Sequence, residues 1–228
     1  ASSYSGSGTT WSDISGIGND GTITGATYDA TNKVFVFDGS DQVNFPAVLS
    51  AGDDTYTIEA YFKPTSATTQ VVVEQNTSSS VASRRASMLL ISNGTGGFNG
   101  QSNDRHNVVN YTLNSWEHWV MVCNVTGNSL KIFRNGSLAY DGTFANAGAL
   151  NIGDAGLVIG KKLSANGEYF NGEMKFVRIY DRVLTDAEAV DNYNSRDASC
   201  SSLTVDAGTD QAVCSGTAVT LTAIGSSS

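Results

Sequence analysis

The stretch from residue 118 to residue 140 reads HWVMVCNVTGNSLKIFRNGSLAY and decides the fold class. Its apolar runs follow the two-residue period that is typical of β-strands. Asn135-Gly136 separates two of these runs, and this dipeptide readily adopts the positive φ angles of a type I′ turn. The stretch therefore predicts an antiparallel hairpin within a β-sheet.

Strand-like runs of the same kind occur along most of the chain, at residues 33–37, 56–62, 70–74, 88–92, 107–111, 157–160 and 173–180. One segment differs, because Thr185 and Glu188 stand at capping-box spacing ahead of apolar residues at helical intervals. We therefore expect one short helix near residues 185–193. Many short strands with hardly any helix predict an all-β fold, an antiparallel two-sheet jelly-roll sandwich, rather than βαβ units.

Composition excludes several classes of partner. The chain has 228 residues, a formal net charge of −9 and only 15% charged residues, whereas ordinary domains carry roughly 25%. Binding to nucleic acid or to an anionic membrane surface needs a cluster of Lys and Arg, and the sequence has none. No apolar run approaches the roughly 18 residues of a membrane span. We therefore expect no nucleic acid partner and no membrane insertion.

Five motifs, in this order, resemble the laminin-G-like, concanavalin A-like jelly-roll modules of bacterial and phage surface proteins. They are the region 7–22 around Trp11, the Phe37-Asp38-Gly39-Ser40-Asp41 turn, the strand 56–64, the run from Trp116 into the Asn135-Gly136 hairpin, and residues 172–188. The resemblance covers residues 4–194 and implies a domain from 1 to 195 with a concanavalin A-like fold. It also implies a secreted or cell-surface location and places the three tryptophans, Trp11, Trp116 and Trp119, in the core.

The tail has a different character. Residues 196–202 are small and polar and are interpreted as a linker. Residues 203–228 resemble the first two strands of an Ig-like or PKD-like repeat of bacterial adhesins. Cys200 and Cys214 flank the first of these strands and are predicted to form a disulfide. The alternative is that Cys214 pairs with a cysteine in the missing part of the repeat. Cys123 is predicted to be a buried thiol.

The front of the sequence departs from the family pattern, since a strand of alternating apolar residues normally precedes the Tyr4 region. Either the sequence is a portion of a longer polypeptide or that strand has been removed. In the second case a groove stays open, and a segment such as Ala218–Ile224 of a neighbouring copy can fill it by β-augmentation. A homopolymer through a donated strand is therefore one alternative.

The related glucanases use two acidic residues close together on one strand. The sequence has no Glu-x-Asp-x-x-Glu spacing on a strand, so we do not expect an enzyme. Our first interpretation is a non-catalytic extracellular module for adhesion or carbohydrate recognition in a multidomain bacterial cell-surface protein. The alternatives are a structural or filament subunit assembled by strand exchange and, third, a diverged glycoside hydrolase.

A polar stretch from Glu74 to His106 is the candidate binding region, because sugars are bound by amide, carboxylate and guanidinium groups beside an aromatic platform. The predicted ligand-binding residues are Glu74, Gln75, Arg85, Asn103, Arg105 and His106. Phe98 or Tyr111 is expected to supply the platform, and the expected partner is a glycan or another cell-surface ligand. The alternative is a solvated loop without a ligand.

Calcium is the one expected cofactor, since turns rich in Asp, Asn and Gly offer hard oxygen ligands. Asp38, Asp41 and Asp154 are the predicted metal ligands, with Asp53 and Asp54 as further candidates. The alternative is that these residues hydrogen-bond to the backbone of their own turns. No zinc spacing is present, with two histidines and three scattered cysteines.

Overall fold

The computed structural model describes residues 1, 3–50, 52, 55–76, 85–100, 103–145, 150, 152–163 and 167–197. Within these residues the strands are β1 (Thr10–Trp11), β2 (Gly21–Thr24), β3 (Thr27–Asp29), β4 (Val34–Asp38), β5 (Gln42–Phe45), β6 (Thr55–Pro64), β7 (Gln70–Gln75), β8 (Ala86–Leu90), β9 (Thr95–Asn99), β10 (Arg105–Asn110), β11 (Glu117–Asn124), β12 (Ser129–Arg134), β13 (Ser137–Gly142), β14 (Leu157–Ile159) and β15 (Asn171–Tyr180). The helix α1 spans Asp186–Ser195.

The strands form two antiparallel sheets that pack face to face. The eight-stranded sheet has the order β1-β2-β5-β14-β7-β8-β9-β10, and the seven-stranded sheet has the order β13-β12-β11-β6-β15-β4-β3. Hairpins of consecutive strands lie towards the edges of each sheet, whereas the central pairs, such as β5-β14, β14-β7, β6-β15 and β15-β4, join strands distant in sequence, as is typical of a jelly roll rather than of a simple meander. The predicted all-β, two-sheet sandwich with one short helix is confirmed.

The Asn135-Gly136 hairpin forms as the sequence predicts. Arg134 pairs with Ser137 across a two-residue loop, and both loop residues have positive φ angles, 49° for Asn135 and 76° for Gly136. Asn135 also accepts a hydrogen bond from the His118 backbone at 2.8 Å. The turn therefore closes β12 against β13 and contacts the start of β11.

The core lies between the sheets and follows the period-two pattern of each strand. On the eight-stranded sheet, one inward row crosses six strands: Ile23, Val43, Ile159, Val73, Met88 and Phe98. Trp119 and Phe62 face this row from the seven-stranded sheet, with ring centroids 6.1 Å apart. Burying such aromatic and branched side chains contributes about 1.5–3 kcal/mol each.

One tryptophan departs from the expectation. Trp11 and Trp119 are buried in the core, but Trp116 is half-buried and lies outside it. Its indole ring stacks at a tilt on Tyr61, 4.8 Å away, and Lys63 and Lys175 each lie 5.9 Å from its centroid. Trp116 precedes β11 and lies beside the solvent-facing row of the sheet, so its position in a motif does not place it in the core.

The helix begins where its capping box predicts. The Thr185 side chain accepts from the Glu188 backbone, and the Glu188 carboxylate accepts from Thr185 N at 2.8 Å. Ala189 and Leu184 bury against Val120 on the outer face of the seven-stranded sheet. The helix therefore covers part of a sheet face that would otherwise be exposed.

Glu59 on β6 joins this helix to the sheet. Its carboxylate is fully buried and faces four donors. Oε1 lies 2.8 Å from both His118 Nε2 and Arg178 Nη1, and Oε2 accepts from Tyr180 and Asn192 at 2.9 Å. Burial acts to raise the pKa of Glu59, but the hydrogen bond from His118 and the charge of Arg178 outweigh it, so the pKa is lowered.

Several predictions fall on residues outside the described part. These are the strand-like runs of the tail, the disulfide between Cys200 and Cys214, and most of the linker 196–202, of which only Arg196 and Asp197 are described. Cys123, by contrast, is a buried free thiol as expected. Among the described residues, no helix is long and apolar enough to cross a membrane.

Candidate functional site

A row of polar side chains lies on the outward face of the eight-stranded sheet. Glu74 pairs with Ser87 on β8, and Ser87 pairs with Asn99 on β9. This row is one residue out of step with the apolar row of the core, so its side chains point to the opposite face. Together with Arg85, which directly precedes β8, Glu74, Ser87 and Asn99 form what we call the polar cluster.

The polar cluster is centred on an ion pair. Arg85 Nε lies 3.1 Å from Glu74 Oε2, and Arg85 Nη1 donates to Asn99 Oδ1 at 3.3 Å. The other carboxylate oxygen of Glu74 accepts from the Leu163 backbone at 3.1 Å and from Asn76 Nδ2 at 3.5 Å. The cluster therefore holds a carboxylate, a guanidinium and amides in fixed relative positions.

Burial distinguishes the polar cluster from an ordinary solvent-facing row. Glu74 and Ser87 have no exposed surface, and Arg85 and Asn99 are 2% and 5% exposed. Burial raises the pKa of Glu74, although the charge of Arg85 and the hydrogen bond from Leu163 act in the opposite direction. A charged pair in this setting carries a large desolvation cost.

Gln75, the next residue along β7, lies on the other face and has a different role. Its side-chain oxygen accepts from the backbones of Val48 and Leu49, both at 2.9 Å. Its amide nitrogen donates to the carbonyls of Leu49 and Gly153 at 2.6 and 3.0 Å. All of these contacts hold two loops against the sheet, which is a structural use of the side chain.

The remaining predicted ligand residues lie near the edge strand β10. Asn103 is fully buried ahead of it. Arg105 pairs with the core residue Phe98, and its Nε donates to the Thr143 carbonyl, so it links the two sheets at the edge of the sandwich. His106 is half-buried, with Nε2 3.9 Å from Asp104 Oδ1. The structure thus brings together Glu74 and Arg85 and separates them from Gln75 and Arg105.

Neither of the two residues expected to form an aromatic platform lies at the surface. Phe98 is fully buried in the core, where its ring contacts Phe144 edge-to-face at 5.2 Å. Tyr111 is 7% exposed and donates its hydroxyl to the Ile91 carbonyl at 2.9 Å. Neither ring has a free face for a sugar.

Comparison with known proteins identifies the family. The family model described as "Concanavalin A-like lectin/glucanases superfamily" matches residues 37–190, well over half of the chain. The chain belongs to this superfamily. No curated protein matches it in sequence.

Solved structures of the same fold are distant in sequence. The Trypanosoma rangeli sialidase in complex with sialic acid is 15% identical at a TM-score of 0.66; the match covers 86% of this chain but only 32% of that one. Domain 4 of AbnA, a GH43 extracellular arabinanase from Geobacillus stearothermophilus, in complex with arabinotriose, is 19% identical at 0.59, covering 79% and 91%. A botulinum neurotoxin type C structure, whose cell entry depends on two ganglioside molecules, is 14% identical at 0.63, covering 85% and 50%.

Hydrolases of the concanavalin A-like superfamily need two cooperating carboxyl groups, which are about 5–9.5 Å apart in glycosidases. In the described residues, the three buried glutamates each contact a cation instead. Glu74 contacts Arg85, Glu59 contacts Arg178 and His118, and Glu117 accepts two hydrogen bonds from Arg134 at 2.6 Å. Each of these carboxylates is therefore paired with a basic side chain.

The three predicted calcium ligands do not converge in one shell. Asp38 accepts from the Ser40 backbone and hydroxyl at 2.9 and 2.7 Å, and Asp41 accepts from the Asp38 backbone at 2.8 Å. Asp154 is exposed in the loop before β14. The described residues hold no group of three or more His, Cys, Asp or Glu that fits a metal ion. Calcium binding stays a prediction, while Asp53 and Asp54 lie outside the described residues.

Two members of the polar cluster, Ser87 and Asn99, lie within the polar stretch from Glu74 to His106 but are not among the ligand-binding residues predicted from the sequence. Ser87 carries no chemical signal by itself. The signal that could have found Ser87 is the alternation of side chains along paired strands. Once β7 and β8 are paired in the correct register, Ser87 must lie beside Glu74. That register follows from a bulge between Val71 and Val73, which the period-two pattern alone does not locate.

Proposed function

We propose that this domain is a non-catalytic extracellular module of a bacterial surface protein that binds a carbohydrate at the polar cluster. One observation carries the proposal: Glu74 and Arg85 form a buried ion pair on the outward face of a sheet, away from the core. Apolar residues of similar size stabilise a fold as well as such a pair does or better. Buried charged groups with a shifted pKa are also more frequent at functional sites.

The chemistry of the cluster suits a sugar. Carboxylate, guanidinium and amide groups offer planar, directional donors and acceptors, and charge-assisted hydrogen bonds are about twice as strong as neutral ones. Arg85 and Asn99 are tied to each other and to Glu74, so little side-chain entropy is lost on binding. The arabinotriose-bound AbnA domain and the ganglioside-dependent neurotoxin support a carbohydrate or cell-surface ligand for this fold.

The test is a glycan array probed with the full chain, with and without calcium, followed by titration of the best glycan. The double variant Glu74→Gln/Arg85→Gln keeps the size of both side chains and leaves no lone buried charge. We expect its affinity to fall by at least about tenfold, or ~1.4 kcal/mol. The matched control is Glu117→Gln/Arg134→Gln, which removes an ion pair of the other sheet and should leave affinity unchanged.

The same array and titration can also disprove the carbohydrate-binding proposal. If no glycan binds in either condition, or if the Glu74/Arg85 double variant binds as tightly as the wild type, the proposal is wrong. Release of reducing sugar from β-glucans by the wild type, lost in Glu74→Gln, would instead favour the diverged glycoside hydrolase. Binding only in the presence of calcium would assign calcium as a cofactor.

A second candidate is a structural subunit that polymerises through a donated strand. It is favoured by one observation: within the described residues, β4 pairs with β15 from Asn171 to Met174, whereas β6 pairs with β15 as far as Tyr180. This candidate requires a strand of another copy beside β15. Sedimentation velocity tests it directly, since strand exchange gives species that grow with protein concentration.

A further inference from the structure

Helix α1 covers only part of the outer face of the seven-stranded sheet. Rows of outward side chains cross β11, β6 and β15, and one row pairs Glu59 with Val120 on one side and with Arg178 on the other. Ala189 and Asn192 of the helix contact this row. The next two rows, towards the start of β11, hold His118, Tyr61, Phe176, Lys63 and Glu173, and Trp116 lies beside them.

Three aromatic rings lie side by side in these rows, outside the core. Tyr61 is in the middle, with its ring centroid 4.8 Å from that of Trp116 and 5.7 Å from that of Phe176. Trp116 and Phe176 are half-buried, so part of each side chain is exposed. Contiguous exposed apolar patches mark binding sites more often than isolated exposed residues do. We call Trp116, Tyr61 and Phe176, together with Lys63 and Glu173, the aromatic face.

Ion pairs border the aromatic face and balance most of its charge. Lys63 lies 2.6 Å from Glu173, and Lys175 lies 2.7 Å from Asp197. The side chains of both pairs are between 25% and 48% exposed. Because each lysine has a carboxylate partner, this surface favours an uncharged ligand over an anion. Each pair also offers a donor and an acceptor together, which suits a hydroxyl group, since a hydroxyl both donates and accepts.

The aromatic face lies on strands that are paired on both sides. β6 lies between β11 and β15, and β11 lies between β12 and β6. Tyr61 is only 6% exposed, so its ring is held by its neighbours. The Lys63 ammonium is held by Glu173 and lies 5.9 Å from the centroid of Trp116. A ligand therefore meets groups that are already in position, and little side-chain ordering opposes binding.

We propose that the aromatic face binds a neutral glycan, at a second site that goes beyond the one at the polar cluster. The C–H face of a sugar ring is apolar and packs on an aromatic ring, while its hydroxyls reach the Lys63–Glu173 pair beside Trp116. The polar cluster lies on the outward side of the other sheet, and stacked sheets are about 10 Å apart. The two sites therefore face opposite directions and share no residue.

Affinity electrophoresis of the full chain tests the proposal. The gels contain hydroxyethyl cellulose, arabinoxylan or galactomannan as neutral probes, or polygalacturonate as a charged probe. We expect at least one neutral polysaccharide to retard the wild type. Trp116→Leu keeps apolar bulk but removes the ring, and it should weaken that affinity at least about tenfold. The matched control is Tyr140→Leu, which removes a half-buried ring on the core side of the same sheet and should leave retardation unchanged.

Tryptophan oxidation gives a readout that needs no variant. Trp11 and Trp119 are 6% and 0% exposed, whereas Trp116 is half-buried. We expect N-bromosuccinimide to oxidise Trp116 first, and the retarding polysaccharide to slow this oxidation, as measured by mass spectrometry of peptides. Oxidation of Trp116 at the same rate with and without the polysaccharide would overturn the proposal.

Three electrophoresis results would also overturn it. These are retardation by none of the neutral probes, retardation by polygalacturonate alone, which would indicate an anion site, and unchanged retardation of Trp116→Leu. The double variant Glu74→Gln/Arg85→Gln separates the two sites, and we expect it to keep the retardation that depends on Trp116. If this double variant abolishes retardation while Trp116→Leu keeps it, the glycan binds at the polar cluster alone, and only the aromatic face is ruled out.

Discussion

Replacing Glu59 by glutamine should cause a large loss of stability. The wild-type carboxylate is fully buried and accepts from His118, Arg178, Tyr180 and Asn192. Glutamine has the same size but turns one acceptor into a donor, so two of these donors face an NH₂ group and the charge that balances Arg178 is lost. Because the Arg178 side chain is 41% exposed, the main cost is that of leaving a buried donor without an acceptor, about 1–3 kcal/mol, and for a domain of this length each kcal/mol lowers Tm by about 2–4 °C.

Guanidinium unfolding followed by tryptophan fluorescence and by circular dichroism measures this loss. The control is Glu173→Gln, which removes a carboxylate that is 25% exposed and 2.6 Å from Lys63. Surface pairs of this kind contribute less than about 1 kcal/mol. A loss below about 1 kcal/mol for Glu59→Gln, equal to that of the control, would mean that the four contacts of Glu59 do not stabilise the fold.

The pH dependence gives a second check on the same residue. Because the pKa of Glu59 is lowered in the folded state, its stabilising contribution is complete above the unfolded pKa near 4.5. It is lost as the pH falls through the folded pKa, which lies below that value. The difference in stability between wild type and Glu59→Gln should therefore be largest near neutral pH and shrink below about pH 4.5. A difference that grows in acid would contradict the assignment.

Three further outcomes follow. Thr185→Ala removes the helix cap and should cost about 0.5–2 kcal/mol in thermal unfolding; an unchanged Tm would count against the cap. Cys123 is buried, and burial raises its pKa to about 12. A thiol reagent at pH 8 should therefore react with it only after unfolding, and rapid labelling of the native protein would contradict this prediction. Gly96→Ala puts a Cβ 2.4 Å from the Leu89 carbonyl oxygen and should lower the free energy of unfolding by about 1–3 kcal/mol. The control is Gly94→Asn, which lies in open space at a φ of 85° and should leave stability nearly unchanged in the same assay.

Features that depend on neighbouring residues were predictable from the sequence. The Asn135-Gly136 hairpin is fixed by two residues whose preferred φ angles suit one turn, and the structure has both angles positive. The helix start depends on Thr185 and Glu188, which are three residues apart. The short strands β2, β3 and β9 were not predicted, because runs of three to five residues rich in Gly and Thr give no periodic signal.

Features that depend on pairing between distant strands were not predictable. Glu74 and Gln75 are adjacent, yet one lies in the polar cluster and the other holds two loops on the opposite face. Likewise Phe98 is in the core, whereas Asn99 contacts Arg85. A shift of one residue in register exchanges these roles. The hydrogen-bond partners of Glu59 lie 59 to 133 residues away in the sequence, so no local sequence pattern can predict them.

A carbohydrate that binds at the polar cluster must change the surroundings of Arg85 but not those of Arg134, which lies on the other sheet. The most direct measurement is an NMR titration of the full chain with the best array glycan, following the side-chain Nε–H signals of Arg85 and Arg134. Binding at the polar cluster predicts a saturable shift of the Arg85 signal, with the Arg134 signal unchanged. Saturable binding elsewhere on the domain that leaves Arg85 unmoved would contradict it.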